Sequence, residues 1–180
     1  LLKLYRQQGD FILERGWDYP AHEVDYEQSI VAPAAICMGE LYRLTGEEKY
    51  KAAFLSQLQV LELFQAEQPD YHCNQVAIRH WDGYWFGKRR CLGDTFPHYW
   101  SVLSGYAYSL ARGLEGLEAY ADRAEATLRG VLSLFGMDGS ASCAMVYPMA
   151  VNGREAHFLD PWANDQDWGL YYNLKLGKKE

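Results

Sequence analysis

The chain has 180 residues, with 17 Lys and Arg against 24 Asp and Glu, for a formal charge of −7. That length holds one ordinary domain with a sizeable core, and 49% hydrophobic with 23% charged residues excludes disordered and fibrous classes. The acidic balance argues against a nucleic-acid partner, because Lys88-Arg89-Arg90 is the one dense basic cluster, and the longest apolar run, Ile30 to Gly39, falls well short of the roughly 20 residues that span a bilayer.

Helical periodicity runs through most of the chain. Leu1, Leu4, Phe11 and Ile12 share one face of a first helix ending at Gly16. A second helix is predicted from Ser29 to Arg43, with a small-residue stripe of Ala32, Ala35, Ile36, Gly39 and Tyr42, and with Pro33 in its first turn. Gly46 stops it. Thr45 and Glu48 have capping-box spacing for a third helix, whose apolar positions are Tyr50, Ala53, Phe54, Leu58, Leu61 and Phe64. The segment Glu67 to Asp94 breaks the period, apart from a short strand predicted at Gln75–Ile78. Thr95 is then read as the cap of a fourth helix, with Pro97 in its first turn and a stripe of Tyr99, Val102, Leu103, Tyr106 and Leu110. A short link at Gly113–Gly116 leads to a fifth helix over Leu117, Tyr120, Ala124, Leu128 and Val131. After Gly136–Leu159, Asp160-Pro161 reads as the start of a sixth helix.

Links after helices two and four are short, and those after helices one, three and five are long. In an up-and-down array alternate links fall on one end. The three long segments, with Asp18, Asp82 and Asp165 among their acids, are therefore expected together, beside the starts of helices two, four and six. The recurrence at about 65 residues, from Ser29 through Thr95 to Asp160, reads as repeated helical hairpins.

That end carries most of the chain's chemistry. Aromatic residues make up 15% of the chain, with 6 Trp and 14 Tyr. His80-Trp81-Asp82-Gly83-Tyr84-Trp85-Phe86-Gly87 precedes the basic cluster, and ring faces of Trp81 and Trp85 are suited to stack on sugar rings while His80 and Asp82 bind hydroxyls. Arg89 or Arg90 is a fork for a substrate carboxylate. Asp94 to Trp100 adds His98 and Tyr99 as proton-transfer candidates and Trp100 as a stacking one; a buried structural role competes for each. Asp25 and Glu27 near one helix start, and Asp165, Asp167 and Trp168 near another, complete the candidates, although acids there also complement the helix dipole. Two carboxylates facing each other across a cleft would suit glycoside hydrolysis, with Asp82 and either Asp165 or Asp167 as acid and base.

No metal or cofactor is expected. His22-Glu23 and His72-Cys73 lack the i, i+4 partner of a helical metal site, and no phosphate-binding or dinucleotide motif occurs. Cys37, Cys73, Cys91 and Cys143 are widely spaced without a CxxC pair, which reads as free thiols in a reducing, cytoplasmic setting.

The hairpin repeat, the link Leu41-Tyr42-Arg43-Leu44-Thr45-Gly46-Glu47-Glu48-Lys49-Tyr50 and the aromatic loops before alternate helices resemble the six-hairpin glycosidase-like superfamily. Its members are (α/α)6 toroids that include glycoside hydrolases, polysaccharide lyases and sugar epimerases. The resemblance implies an all-α domain over residues 1–180, a carbohydrate-active enzyme and an oligosaccharide or polysaccharide substrate, with no membrane or nucleic acid involved. It leaves hydrolase, lyase and epimerase open, and a non-catalytic helical module that binds a glycan or a protein is the alternative. Three hairpins are half a toroid, so the remainder of the ring is an expected partner. Open edges are expected to expose the stripe Ala32, Ala35 and Gly39.

Overall fold

The computed structural model describes residues 1–15, 28–62, 78–79, 85–86, 94–141, 144–147, 150–151, 154–155, 159–160 and 167–177. Among these residues six α-helices form the frame: α1 (Leu2–Arg15), α2 (Gln28–Thr45), α3 (Glu48–Glu62), α4 (Ser101–Leu110), α5 (Ala119–Val131) and α6 (Asp167–Gly177). Helix α5 continues into a 3₁₀ turn, Leu132–Leu134.

The helices form two rows. Helix α4 packs between α2 and α6, while α3 covers α2 and α5 covers α4 as hairpin partners. The second row is tied by polar contacts. Lys49 of α3 donates to Asp10 of α1 at 2.7 Å, and Arg123 of α5 lies 3.9 Å from Glu62 of α3. This is an array of antiparallel helical hairpins, the expected fold class. The α2–α3 turn shows how the sequence enforces it. Gly46 takes a left-handed backbone with φ 69°, and its N–H donates to Tyr42 O at 2.7 Å, a one-glycine stop. The capping box is not formed as expected. Thr45 ends α2, donating to Leu41 O at 2.7 Å and accepting from the Glu47 N–H at 3.2 Å, so its hydroxyl serves the turn and not the Glu48 pair.

The predicted apolar stripes become the core. Ala32, Ala35, Met38, Leu41, Tyr50, Phe54, Leu58 and Leu61 are fully buried between α2 and α3, with Ala107 and Tyr108 of α4 and Ala111 just after it closing the cluster. The small-residue stripe of α2 is therefore not an open edge. A Cβ placed on Gly39 would lie 3.0 Å from the Phe54 ring and 3.1 Å from Leu110, so the stripe is small because α3 and α4 sit on it. Pro33 lies inside α2, beyond its first turn. Its side chain is exposed, so the ring displaces no core packing.

Among the described residues seven short strands accompany the helices: β1 (Ile78–Arg79), β2 (Trp85–Phe86), β3 (Asp94–His98), β4 (Ala144–Tyr147), β5 (Ala150–Val151), β6 (Arg154–Glu155) and β7 (Leu159–Asp160). Strands β1 and β2 pair, as do β5 and β6, and β3-β4-β7 forms a three-stranded antiparallel sheet. Of the strand predicted at Gln75–Ile78, Ile78 begins β1 and residues 75–77 lie outside the described residues.

Two expected helix starts are overturned. Residues 94–98 form β3, and α4 begins at Ser101 without a side-chain cap. Asp160 ends β7, and α6 begins at Asp167. Both errors have one cause. A proline pushes the preceding residue out of the α region, so Phe96 before Pro97 and Asp160 before Pro161 are extended, in β3 and β7. Pro97 is tolerated in β3 because β3 is a sheet edge and its register shifts between Thr95 and His98, across the proline.

Among the described residues Cys37 is a free thiol, and no helix is long and apolar enough to cross a membrane.

Candidate functional site

Strand β3 belongs to the long segment between α3 and α4, whereas β4 and β7 belong to the one between α5 and α6. Their ladder joins the two segments at the end of the array where α4 and α6 begin. The register pairs Asp94 with Tyr147, Thr95 with Val146, His98 with Ala144, Ala144 with Asp160 and Met145 with Leu159. The expected meeting of long segments is realised for these two. The acids Asp18, Asp82 and Asp165 lie outside the described residues, as does the first long segment.

At the starts of α4 and α6, aromatic rings meet. The Tyr99 ring is 5.7 Å from Trp100 and 6.1 Å from Trp168 of α6, in tilted geometry. Val102, Leu128, Val131 and Leu134 pack with them, and Phe135, Tyr172 and Leu176 flank the cluster. Gly169 permits this approach, since a Cβ there would lie 2.9 Å from Val131 and 3.1 Å from Phe135. Tyr99 is only 2% exposed, so its ring is a core element. That position weighs against the proton-transfer role considered for it. Trp100 and Trp168 are half-buried, and Asp167 is exposed at the start of α6, where an acid complements the helix dipole.

Of the other candidates, His98 closes β3 and Trp85 sits in β2 opposite Arg79. Asp25, Glu27, His80, Trp81, Asp82, Arg89, Arg90 and Asp165 lie outside the described residues. Of the clusters 94–100 and 160–168, the described residues are linked through the shared partner strand β4 and through the Tyr99–Trp168 ring contact; residues 161–166 lie outside the described residues.

A second polar cluster escaped the sequence reading. One residue from each helix of the inner row contributes to it: Glu40 of α2, Tyr106 of α4 and Lys175 of α6. The Tyr106 hydroxyl donates to Glu40 Oε1 at 2.8 Å, and Lys175 Nζ donates to the Tyr106 oxygen at 3.2 Å. Arg43 Nε donates to Glu40 Oε2 at 2.9 Å. The Lys175 ammonium lies 4.6 Å from the Tyr106 ring centre and within 6 Å of Tyr171 and Tyr172. Burial, then the hydrogen bond to Glu40, pushes the Tyr106 phenol up, and the bond to Tyr106 raises Lys175. A lone Glu closing an apolar run, Ala34 to Gly39, was the available signal. The cluster lies toward the C-terminal ends of α2 and α6, away from the ladder, and joins three helices. Tyr106→Phe is expected to lower stability by about 1–2 kcal/mol, the net value of one such bond with an acceptor left less satisfied, and to leave any activity unchanged. Chemical denaturation of the variant measures the first, and turnover the second.

No family model matches the chain, and neither does any curated protein. A solved polysaccharide lyase does. It shares 50% sequence identity over 98% of this chain, with a TM-score of 0.77. The chain spans 26% of that lyase's length.

Proposed function

We propose that the chain is a segment of an (α/α)6-toroid polysaccharide lyase that cleaves a uronate-containing glycan by β-elimination. The observation that carries this reading is the 50% identity to a polysaccharide lyase across nearly the whole chain. It tips the balance among hydrolase, lyase and epimerase toward elimination, and so away from an acid–base pair of Asp82 with Asp165 or Asp167.

The proposed chemistry needs three kinds of group. A base takes the proton α to the sugar carboxylate; as it leaves, the electron pair forms a C4=C5 double bond and the C4–O bond breaks. His98, in the long-segment end of the array, is the proposed base. Arg89 or Arg90 neutralises the carboxylate, which stabilises the carbanion-like charge that develops beside it. Trp81, Trp85, Trp100 and Trp168 offer ring faces for flanking sugars, with Asp25, Glu27 and His80 for hydroxyls. We read the exposed apolar residues of α1 (Leu2, Leu4, Phe11) and of α6 (Leu170, Tyr171, Leu174) as faces for the rest of the ring.

Incubating the full-length protein with a polyuronate and with a neutral glucan tests the reading. An ultraviolet-absorbing unsaturated uronyl end from the polyuronate alone is the expected product. Saturated reducing ends would mean hydrolysis instead, and binding without cleavage would mean a glycan-binding module.

A further inference from the structure

Helix α6 fully buries one residue, Gly169. Its larger apolar residues lie on more than one side: Trp168, Tyr172 and Leu176 pack on the cluster around Tyr99, whereas Leu170, Tyr171 and Leu174 are exposed. Apolar burial is non-directional, so it defines the rotation of such a helix about its own axis only weakly. Hydrogen bonds are directional, and one side chain supplies them here. Asn173 Nδ2 donates to Leu128 O of α5 at 2.8 Å and to Gly169 O of its own helix at 2.8 Å. Both partners are carbonyls, so only the amide nitrogen can face them. Leu128 is itself held in place. It is nearly fully buried, and a Cβ placed on Gly105 of α4 would lie 2.7 Å from its side chain. The Asn173 amide thus ties α6 to a fixed point of the α4–α5 hairpin. Trp168 directly precedes the Gly169 that shares this amide, and its ring lies against Tyr99. Asparagine is a poor choice for a helix interior, because its amide competes for backbone groups. At position 173 that competition serves the neighbouring helix.

We propose that Asn173 is the positioning residue of Trp168: by fixing the rotation of α6, it holds the indole where a sugar ring of the glycan stacks. This rests on the reading of Trp168 as a glycan platform given above. The amide touches neither the glycan nor the reacting atoms, and acts only through the helix that carries the ring. A second polar tie of α6, Lys175 to Tyr106, does not replace it. That bond ends a flexible four-carbon chain, which follows a rotation that the single methylene of Asn173 resists.

Full-length protein carrying 5-fluorotryptophan tests this by fluorine NMR and kinetics on a polyuronate, with the Trp168 resonance assigned through Trp168→Leu. Asn173→Ala is expected to shift or broaden that resonance and to raise KM by about 3- to 10-fold, the size of one lost aromatic stacking contact, with kcat unchanged. Asn173→Asp keeps the shape but sets a carboxylate oxygen against two carbonyls, and is expected to act in the same direction more strongly. Trp168→Leu should itself raise KM by at least as much, and in that background Asn173→Ala should have no further effect. An unchanged Trp168 resonance in Asn173→Ala would overturn the positioning role. So would a lowered melting temperature with normal KM, a loss confined to kcat, or an undiminished effect of Asn173→Ala without Trp168. If Asn173→Asp fails to fold, Asn173→Ala decides. A normal KM in Trp168→Leu would remove the platform, and the proposal with it. Absence of unsaturated product from the unaltered protein would instead remove the lyase reading alone. The dissociation constant of the polyuronate then takes the place of KM, and the Trp168 resonance still decides whether Asn173 positions the ring.

Discussion

Replacing His98 by Ala in the full-length enzyme is expected to reduce turnover of a polyuronate by 100- to 10,000-fold, the range typical for loss of a general base. Melting temperature is expected to change little, because Ala keeps the backbone pairing of β3 with β4 through which the strand is held. The contrast that sharpens this is Tyr99→Phe. Both residues stand at the β3–α4 junction and both are capable of taking a proton. Tyr99, however, is 2% exposed and its ring packs between Trp100 and Trp168. Phe preserves those ring contacts, so Tyr99→Phe is expected to keep turnover within tenfold of the unaltered enzyme. Kinetics of the two variants on the same substrate separate the candidates. A collapse of kcat in Tyr99→Phe with normal activity in His98→Ala would exchange their roles and place the phenol at the reacting carbon.

The helices were legible because their cause is local. A stripe such as Tyr50, Phe54, Leu58 and Leu61 repeats at the helical period and needs no knowledge of its partner, and all four side chains are fully buried. Gly46 was equally legible, since a positive φ at a helix end is a demand that glycine meets cheaply. The two misplaced starts were local too, but read with the wrong rule. Proline at a first helical position and proline after an extended residue have the same sequence, and the sheet decided between them. Strand β4 carries no clear alternation, so the ladder it forms with β3 and β7 could not be read from sequence. The Glu40–Tyr106–Lys175 cluster was hidden for a related reason. Its members are separated by 66 and 69 residues, and only the side-by-side placement of α2, α4 and α6 joins them. Convergence of aromatic residues at the long-segment end was legible through loop lengths alone, which fix the end of the array but no distances.

Phe54→Ala is expected to be among the most damaging substitutions in the core, costing about 3–5 kcal/mol. Phe54 is fully buried on α3, and its ring fills the space left by Gly39 on α2. Typical domains are stable by only about 5–15 kcal/mol, so this one change removes a large fraction of the margin. The pair also predicts a change of sign. In the unaltered chain, Gly39→Ala gains up to about 1 kcal/mol of helix propensity. It also pushes a methyl to 3.0 and 3.2 Å from the Phe54 ring and 3.1 Å from Leu110, all fixed neighbours in a packed core. Overpacking of that kind costs about 1–3 kcal/mol, so crowding outweighs propensity and Gly39→Ala is expected to destabilise. In the Phe54→Ala background the ring is gone. The added methyl then occupies part of the cavity, and both terms favour Gly39→Ala. The double variant should therefore be more stable than Phe54→Ala alone, with a coupling of about 1–3 kcal/mol between the two sites. Denaturant unfolding of the four proteins in the cycle measures it. Additive effects would mean that α2 and α3 separate to admit the methyl, and that the close approach at Gly39 does not set their spacing.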